Sequence, residues 1–475
     1  MGALTSAGLL LVAALLLGGG THNHLFSDLI VQALAAVMLV ALLRGFQRDC
    51  YALPEQVLLL TGLWVLAIPL LHVLPLPGAL WELAPGRGAL AEEARQAQLA
   101  MPAWRSWSLD ANASLAAARG LLPALALGWV CLRLSEDQLR WLAFAIVAIA
   151  VLMVPIGLAQ VLVGPDSPLR PYQPTNVLDA VGLFANRNHY ASLLACALAL
   201  CYAGMIAAAR QRRAHVWLRM AGWLVAAAVL LLGTVLSRSR GGLLLVVFYS
   251  LFMLGVAWSQ RRQAPNAWRW LGAFLLIGSL IAFQFGFLAI ADRLASITEG
   301  DHRFNVIAAV LESGSQYAWL GTGVGSFPTV YAAYEPVEIL GAKVLNHAHN
   351  DWAELWVEIG VLLIPLMLLI GAALWAGARR ILSREDLRAD RLHPYRLAAL
   401  AIVLGLALHS LFDYPLRTTA LSCVLAYAAA WLARAASRPV PEPVAEPEVA
   451  PEPDRPQRVS LRLVGGRAHY GRGEH

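Results

Sequence analysis

Residues 141–163 read WLAFAIVAIAVLMVPIGLAQVLV, a run without one formally charged side chain. Coiled as an α-helix at about 1.5 Å per residue, it is about 35 Å long, enough to cross a hydrocarbon core of about 30 Å. In such a core each backbone N–H and C=O must be satisfied within its own segment, so helix is the expected form. Similar runs recur at roughly 3–19, 28–43, 56–74, 115–132, 183–209, 217–236, 241–258, 270–291, 352–378, 397–413 and 418–436. The reading is an all-α, polytopic integral membrane protein with about twelve transmembrane helices. Composition agrees: 59% of the 475 residues are hydrophobic and only 14% are charged, too few charges to wet a soluble chain of this size.

The first run lacks a basic n-region and a convincing small-residue cleavage site, so it is expected to be a retained span. The five cysteines, Cys50, Cys131, Cys196, Cys201 and Cys423, lie in or beside apolar runs without paired or metal-ligand spacing. They read as small buried hydrophobes.

Orientation follows the Lys/Arg bias of short connections. With the N-terminus in the cytoplasm, the even-numbered connections hold Arg44 and Arg48, then Arg133 and Arg140, then Arg210, Arg212, Arg213 and Arg219. Arg261, Arg262 and Arg269 follow, and then Arg379, Arg380, Arg384, Arg388, Arg391 and Arg396. The short odd-numbered connections hold far fewer, so both termini are expected in the cytoplasm. Two long loops, about 75–114 and 292–350, then face outward. Trp81, Trp104 and Trp107 in the first read as an interfacial aromatic belt. Residues 1–437 form the transmembrane domain, and the Pro/Glu-rich stretch 438–475 reads as a disordered cytoplasmic tail. No internal repeat of the kind that marks many transporters is visible.

Three motif regions fall on the outer side. GLFANRNHY at 182–190 places Asn186, Arg187, Asn188 and His189 at the mouth of an apolar span, where a helix cap and a polar site are both open readings. SRSRGG at 237–242 puts Arg238 and Arg240 beside a helix start. Arginine at membrane depth faces a cavity or a partner, a guanidinium fork suits phosphate oxygens, and a helix N-terminus favours an anion. Arg238 reads as snorkelling and Arg240 as functional. The third region comprises DHRFN at 301–305, GTGVGSF at 321–327 and NHAHNDW at 346–352, followed by Glu354 and Glu358. No strand precedes the glycines, so they mark tight turns and not a nucleotide loop. His347, His349 and Asp351 make a weak metal set; a histidine base with Asn350 or Asp351 fixing its ring is the better reading, since histidine titrates at about 6.5. Arginines and a histidine together on an outer membrane face suit transfer of a glycan from a lipid diphosphate.

In this order, GLFANRN at 182–188, Ser239-Arg240-Gly241, Arg303, the glycine series ending at Phe327, and His347, His349, Asn350 and Glu354 resemble the bacterial O-antigen ligase and polymerase superfamily. The resemblance covers roughly 180–415. It implies a C-type glycosyltransferase fold and a metal-independent, inverting enzyme without a cofactor, in the bacterial inner membrane with its active site on the periplasmic side. The implied donor is an undecaprenyl-diphosphate-linked glycan; the acceptor is a hydroxyl of lipid A-core or another glycan. Arg240 and Arg303 would bind the diphosphate, with Arg187 of less weight, and His349 or His347 would activate the acceptor. HSLFDYPLR at 409–417 also looks family-like; Asp413 and Arg417 would line the cavity or form a structural pair. Membrane lipids and other polysaccharide-assembly proteins are expected partners, and nucleic acid is not. Ligase is placed marginally ahead of polymerase, and a protein O-oligosaccharyltransferase shares the chemistry. The rival from another class is a carrier of lipid-linked sugar or anion. A carrier predicts midplane residues reached from both sides, whereas here the polar residues gather on one face. A scaffold in an assembly complex, which needs no outer histidine, comes last.

Overall fold

The computed structural model describes residues 2–21, 26–45, 51–173, 176–211, 215–264, 266–276, 278, 302–335 and 345–437, with the side chains of 302–306 excepted. Among these, nine helices are long and apolar enough to cross a membrane: Phe26–Arg44, Leu53–Val73, Ala111–Leu132, Glu136–Val163, Arg187–Ala209, Val216–Leu236, Arg240–Ser259, Asp351–Ser383 and Thr419–Ser437. Two shorter apolar helices, Ala3–Leu17 and His393–His409, join them. The protein is an all-α, multi-pass membrane protein. Of the span expected at 270–291, residues 270–276 and 278 are described, as helix, and the rest lies outside the described residues, as does the expected tail 438–475.

Helix Arg187–Ala209 is the axis of the bundle. Its whole apolar window is buried, against 17% for Phe26–Arg44. A helix that is apolar all round belongs inside, and the small residues of its SLLACALALCYAG stretch let neighbours approach closely. Val216–Leu236, Arg240–Ser259, His393–His409 and Glu136–Val163 pack around it. Cys131, Cys196, Cys201 and Cys423 are free and buried.

Three features depart from the sequence reading. The first helix is only 15 residues, Ala3–Leu17, about 22 Å and short of the core thickness. The chain then runs as Gly18–Gly20 through a seam too narrow for side chains, where a Cβ on Gly19 would meet Leu183 O at 2.1 Å. The run expected at 352–378 falls within the span Asp351–Ser383 but is interrupted: helix Asp351–Ile359 stops at Gly360, whose φ is +56°, and Leu363–Ser383 continues beyond it. The first long loop is folded, with an antiparallel ribbon pairing Pro75–Pro77 with Trp104–Ser106 and helices Gly78–Glu82 and Arg87–Gln96 between them.

That folded loop corrects the aromatic-belt reading. Trp81 is buried and donates to Ser106 O at 2.9 Å, while Trp107 donates to Gly321 O at 3.1 Å. Only Trp104 is exposed as a belt residue would be. Buried Arg87 stacks 4.1 Å from the Trp107 ring and donates to Trp107 O and Gly321 O, tying the first long loop to the second. Burial pushes its pKa down to about 10, so it stays charged at neutral pH.

The arginine-rich connections share the opposite end of the bundle. There Arg396 pairs with Glu136 and Asp390, Arg391 with Asp137, and Arg434 with Glu55.

Candidate active site

Three helix starts converge at one end of the bundle, each held by a side-chain cap. Asn186 Oδ1 accepts from Asn188 N at 2.8 Å, Ser239 Oγ from Gly242 N at 3.0 Å, and Asn350 Oδ1 from Trp352 N and Ala353 N at 3.0 Å each. Asn186 and Asn350 are therefore caps; Asn350 also donates to Leu411 O. The reason is local: the first N–H groups of each helix are orphans, and Asn and Ser side chains satisfy them.

A chain of hydrogen bonds joins the motifs. Ser239 Oγ donates to Asn188 Oδ1 at 2.7 Å, Asn188 Nδ2 donates to Asp413 Oδ2 at 2.6 Å, and His349 Nδ1 lies 3.4 Å from Asp413 Oδ1. Asp413 Oδ1 also accepts from Tyr414 N at 3.0 Å. Burial of Asp413 opposes its charge, but the His349 hydrogen bond and the neighbouring histidines outweigh it and hold the carboxyl well below the usual range. The His349 side chain is 29% exposed, and its backbone takes φ +51°, a left-handed conformation that a non-glycine residue adopts only when its surroundings impose it.

His347 is built differently. Its Nδ1 lies 2.9 Å from Glu354 Oε1 and its Nε2 3.3 Å from Thr21 O. Both partners are acceptors, which calls for a hydrogen on each ring nitrogen, that is, for imidazolium. Burial works against that charge, yet the Glu354 carboxylate outweighs it and raises the pKa above the ordinary value. Behind it Arg417 meets three carboxylates, Asp351 at 3.5 Å, Glu354 at 3.3 Å and Glu358 at 2.8 Å. Burial lowers the Arg417 pKa, but the three carboxylates more than reverse this. Tyr414 stands between the two histidines, its ring centroid 4.4 Å from that of His347 and 5.0 Å from that of His349.

The glycine series is a set of tight turns seated on helix Asp351–Ile359. Gly325 N donates to Glu358 Oε1 at 2.7 Å and Gly323 N to Glu358 O at 2.9 Å. Gly321 has φ +70°, and a Cβ there would lie 2.2 Å from the Glu358 carbonyl.

The arginines separate clearly. Arg240 is exposed at the first position of helix Arg240–Ser259, and no ion pair engages it among the described residues. Arg187 is paired with Asp179, which also lies 3.7 Å from Arg238. Arg303 sits in helix His302–Gln316, and its side chain lies outside the described residues.

Sequence reasoning did not single out Asp179, Ser239, His409 or Tyr414 as members of this network. His409 Nδ1 meets Ser192 Oγ at 2.9 Å, and Asn186 Nδ2 reaches Tyr414 OH at 3.5 Å. The signal available for His409, Asp413 and Tyr414 was their crowding in one short stretch with Arg417.

A protein-family model described as O-antigen ligase matches residues 225–368, which includes Arg240, Arg303 and both loop histidines. No curated protein matches the chain.

Proposed function

We propose that this multi-pass membrane protein transfers glycosyl groups in polysaccharide assembly, a reading supported by the O-antigen ligase family match over residues 225–368, and with it we propose the donor, the face and the base. The donor is an undecaprenyl-diphosphate-linked glycan held at the periplasmic face, and the acceptor is a hydroxyl of lipid A-core.

The observation that supports this reading is the polar chain from Ser239 through Asn188 and Asp413 to His349, which ties the carboxylate-held histidine to the helix start that bears Arg240. Arg240 receives the diphosphate at a helix start, where both the guanidinium and the backbone dipole favour an anion. Arg303 is the second cation of the clamp. Arg187, held by Asp179, shapes the rim.

Of the two histidines, His349 is the base. Asp413 accepts the Nδ1 hydrogen, fixing the tautomer that leaves Nε2 free to take a proton. His347, with acceptors on both nitrogens, already holds its protons and cannot serve. The acceptor O–H gives its proton to His349 Nε2 while its oxygen attacks the anomeric carbon. The bond from that carbon to the diphosphate oxygen breaks on the opposite side, the electron pair leaves with the diphosphate, and the configuration inverts. No step needs a metal.

Purified protein in liposomes, given undecaprenyl-diphosphate glycan and lipid A-core in the presence of EDTA, is expected to release undecaprenyl diphosphate and glycosylate the core. Extension of the glycan without core modification would make it a polymerase instead. Donor binding without cleavage, whichever acceptor is offered, would replace the transferase with a carrier.

A further inference from the structure

At the arginine-rich end, a groove of about 500 Å³ opens between helices Glu136–Val163, Arg187–Ala209, Val216–Leu236 and the stretch Arg391–Tyr395. The 23 residues of Arg187–Ala209 separate it from the Asn188–Asp413 network, a distance of about 30 Å, so no substrate phosphate bound there reaches it.

One wall is aromatic. Phe144 stacks on Trp223 with centroids 5.2 Å apart and meets Trp141 at 5.4 Å. Basic side chains line it too: Arg140, whose guanidinium lies 6.0 Å from the Trp141 centroid and 5.9 Å from that of Phe144, Arg219 and Arg391. Asp137 pairs with two of these arginines, 3.4 Å from Arg140 and 2.8 Å from Arg391. Arg219 donates to the neutral Gln211. Among the described residues the Arg140 Nε is buried without a hydrogen-bond partner, and a buried guanidinium donor left unsatisfied is costly. Gly222 leaves the floor open, since a Cβ there would meet nothing within 4 Å.

We propose that this groove binds an anionic phospholipid, its phosphate between Arg140 and Arg219 and an acyl chain along Trp141, Phe144 and Trp223. Excess cationic charge selects the anion, and the aromatic wall continuous with it selects a lipid over free phosphate. The arginine bias places the groove at the cytoplasmic leaflet, where basic pockets between helices hold acidic headgroups.

The test is native mass spectrometry of the purified full chain titrated with phosphatidylglycerol, with phosphatidylcholine of the same acyl chains, and with inorganic phosphate. The expected result is a preference for phosphatidylglycerol that falls about fivefold for Arg140→Gln and about fivefold for Arg219→Gln, the loss for about 1 kcal/mol per arginine. Gly222→Phe, which fills the groove and keeps every charge, is expected to weaken the lipid as well and guards against a charge variant that fails to fold. Equal binding of the two lipids, or phosphatidylglycerol binding unchanged in the variants, overturns the proposal. So does binding of inorganic phosphate that Gly222→Phe leaves intact, because the acyl wall then plays no part.

Discussion

Asp413→Asn is the substitution that most sharply probes the network. The wild-type carboxylate is 1% exposed and accepts from Asn188 at 2.6 Å, Tyr414 N at 3.0 Å and His349 at 3.4 Å. An amide has only one acceptor oxygen. If that oxygen keeps Tyr414 N and His349, the amide NH2 confronts the NH2 of Asn188, which cannot turn over without losing Ser239 at its Oδ1. At least one buried donor is left unsatisfied and two charge-assisted bonds are weakened, for a destabilisation of about 2–4 kcal/mol. His349 also loses the anion that fixes its tautomer, so kcat is expected to fall by about 10²-fold or more, within the usual contribution of a general base, with little change in the donor KM. Because the folded pKa of Asp413 is depressed, its stabilisation is present above the unfolded value of about 4 and is lost only as pH falls through the depressed one. The melting-temperature gap between wild type and variant should therefore persist at neutral pH and close only in strong acid. Paired transfer rates and melts in detergent decide the matter. A variant that transfers within twofold of wild type at unchanged melting temperature refutes the reasoning.

The other predictions concern charges whose partners are known. His347 has a raised folded pKa, so its stabilisation is full below the unfolded value of about 6.5 and is lost as pH rises through the folded one. Wild type should lose melting temperature on the alkaline side, and His347→Gln, lower throughout, should show a flatter profile there. Arg417→Met leaves Asp351, Glu354 and Glu358 without their shared cation and is expected to cost about 3–5 kcal/mol, seen as loss of folded protein on size exclusion. Arg240→Ala breaks no ion pair seen here and should stay within about 0.5 kcal/mol of wild type, while the donor KM rises at least about tenfold, as expected for a lost charge-assisted phosphate contact; unchanged donor KM would remove Arg240 from the clamp.

The membrane helices were legible because length and apolarity alone define them: Glu136–Val163 and Arg187–Ala209 fall where their runs stand in the sequence. The short first helix and the break at Gly360 were not, because both are set by tertiary approach, of Gly19 to Leu183 and of Gly360 to Ala318 O. Nor was the ribbon at Pro75 and Trp104, since three-residue strands carry too few alternations to register. The candidate site was legible as residue types gathered on one face, with the three motif regions in one neighbourhood. Which histidine differs from which was not, because the difference lies in Thr21 and Asp413, 326 and 64 residues away along the chain. Arg417 and Arg240 likewise look alike in sequence, and only the three carboxylates around Arg417 tell them apart.

The central claim is that His349 is the base and His347 is not. Single-turnover transfer by His349→Gln and His347→Gln, compared at equal folded fraction and saturating donor, tests it directly. The account predicts a loss of about 10²–10⁴ in the chemical step for His349→Gln, with donor binding retained and a much smaller loss for His347→Gln. Near-normal turnover by His349→Gln beside an inactive, folded His347→Gln would contradict it.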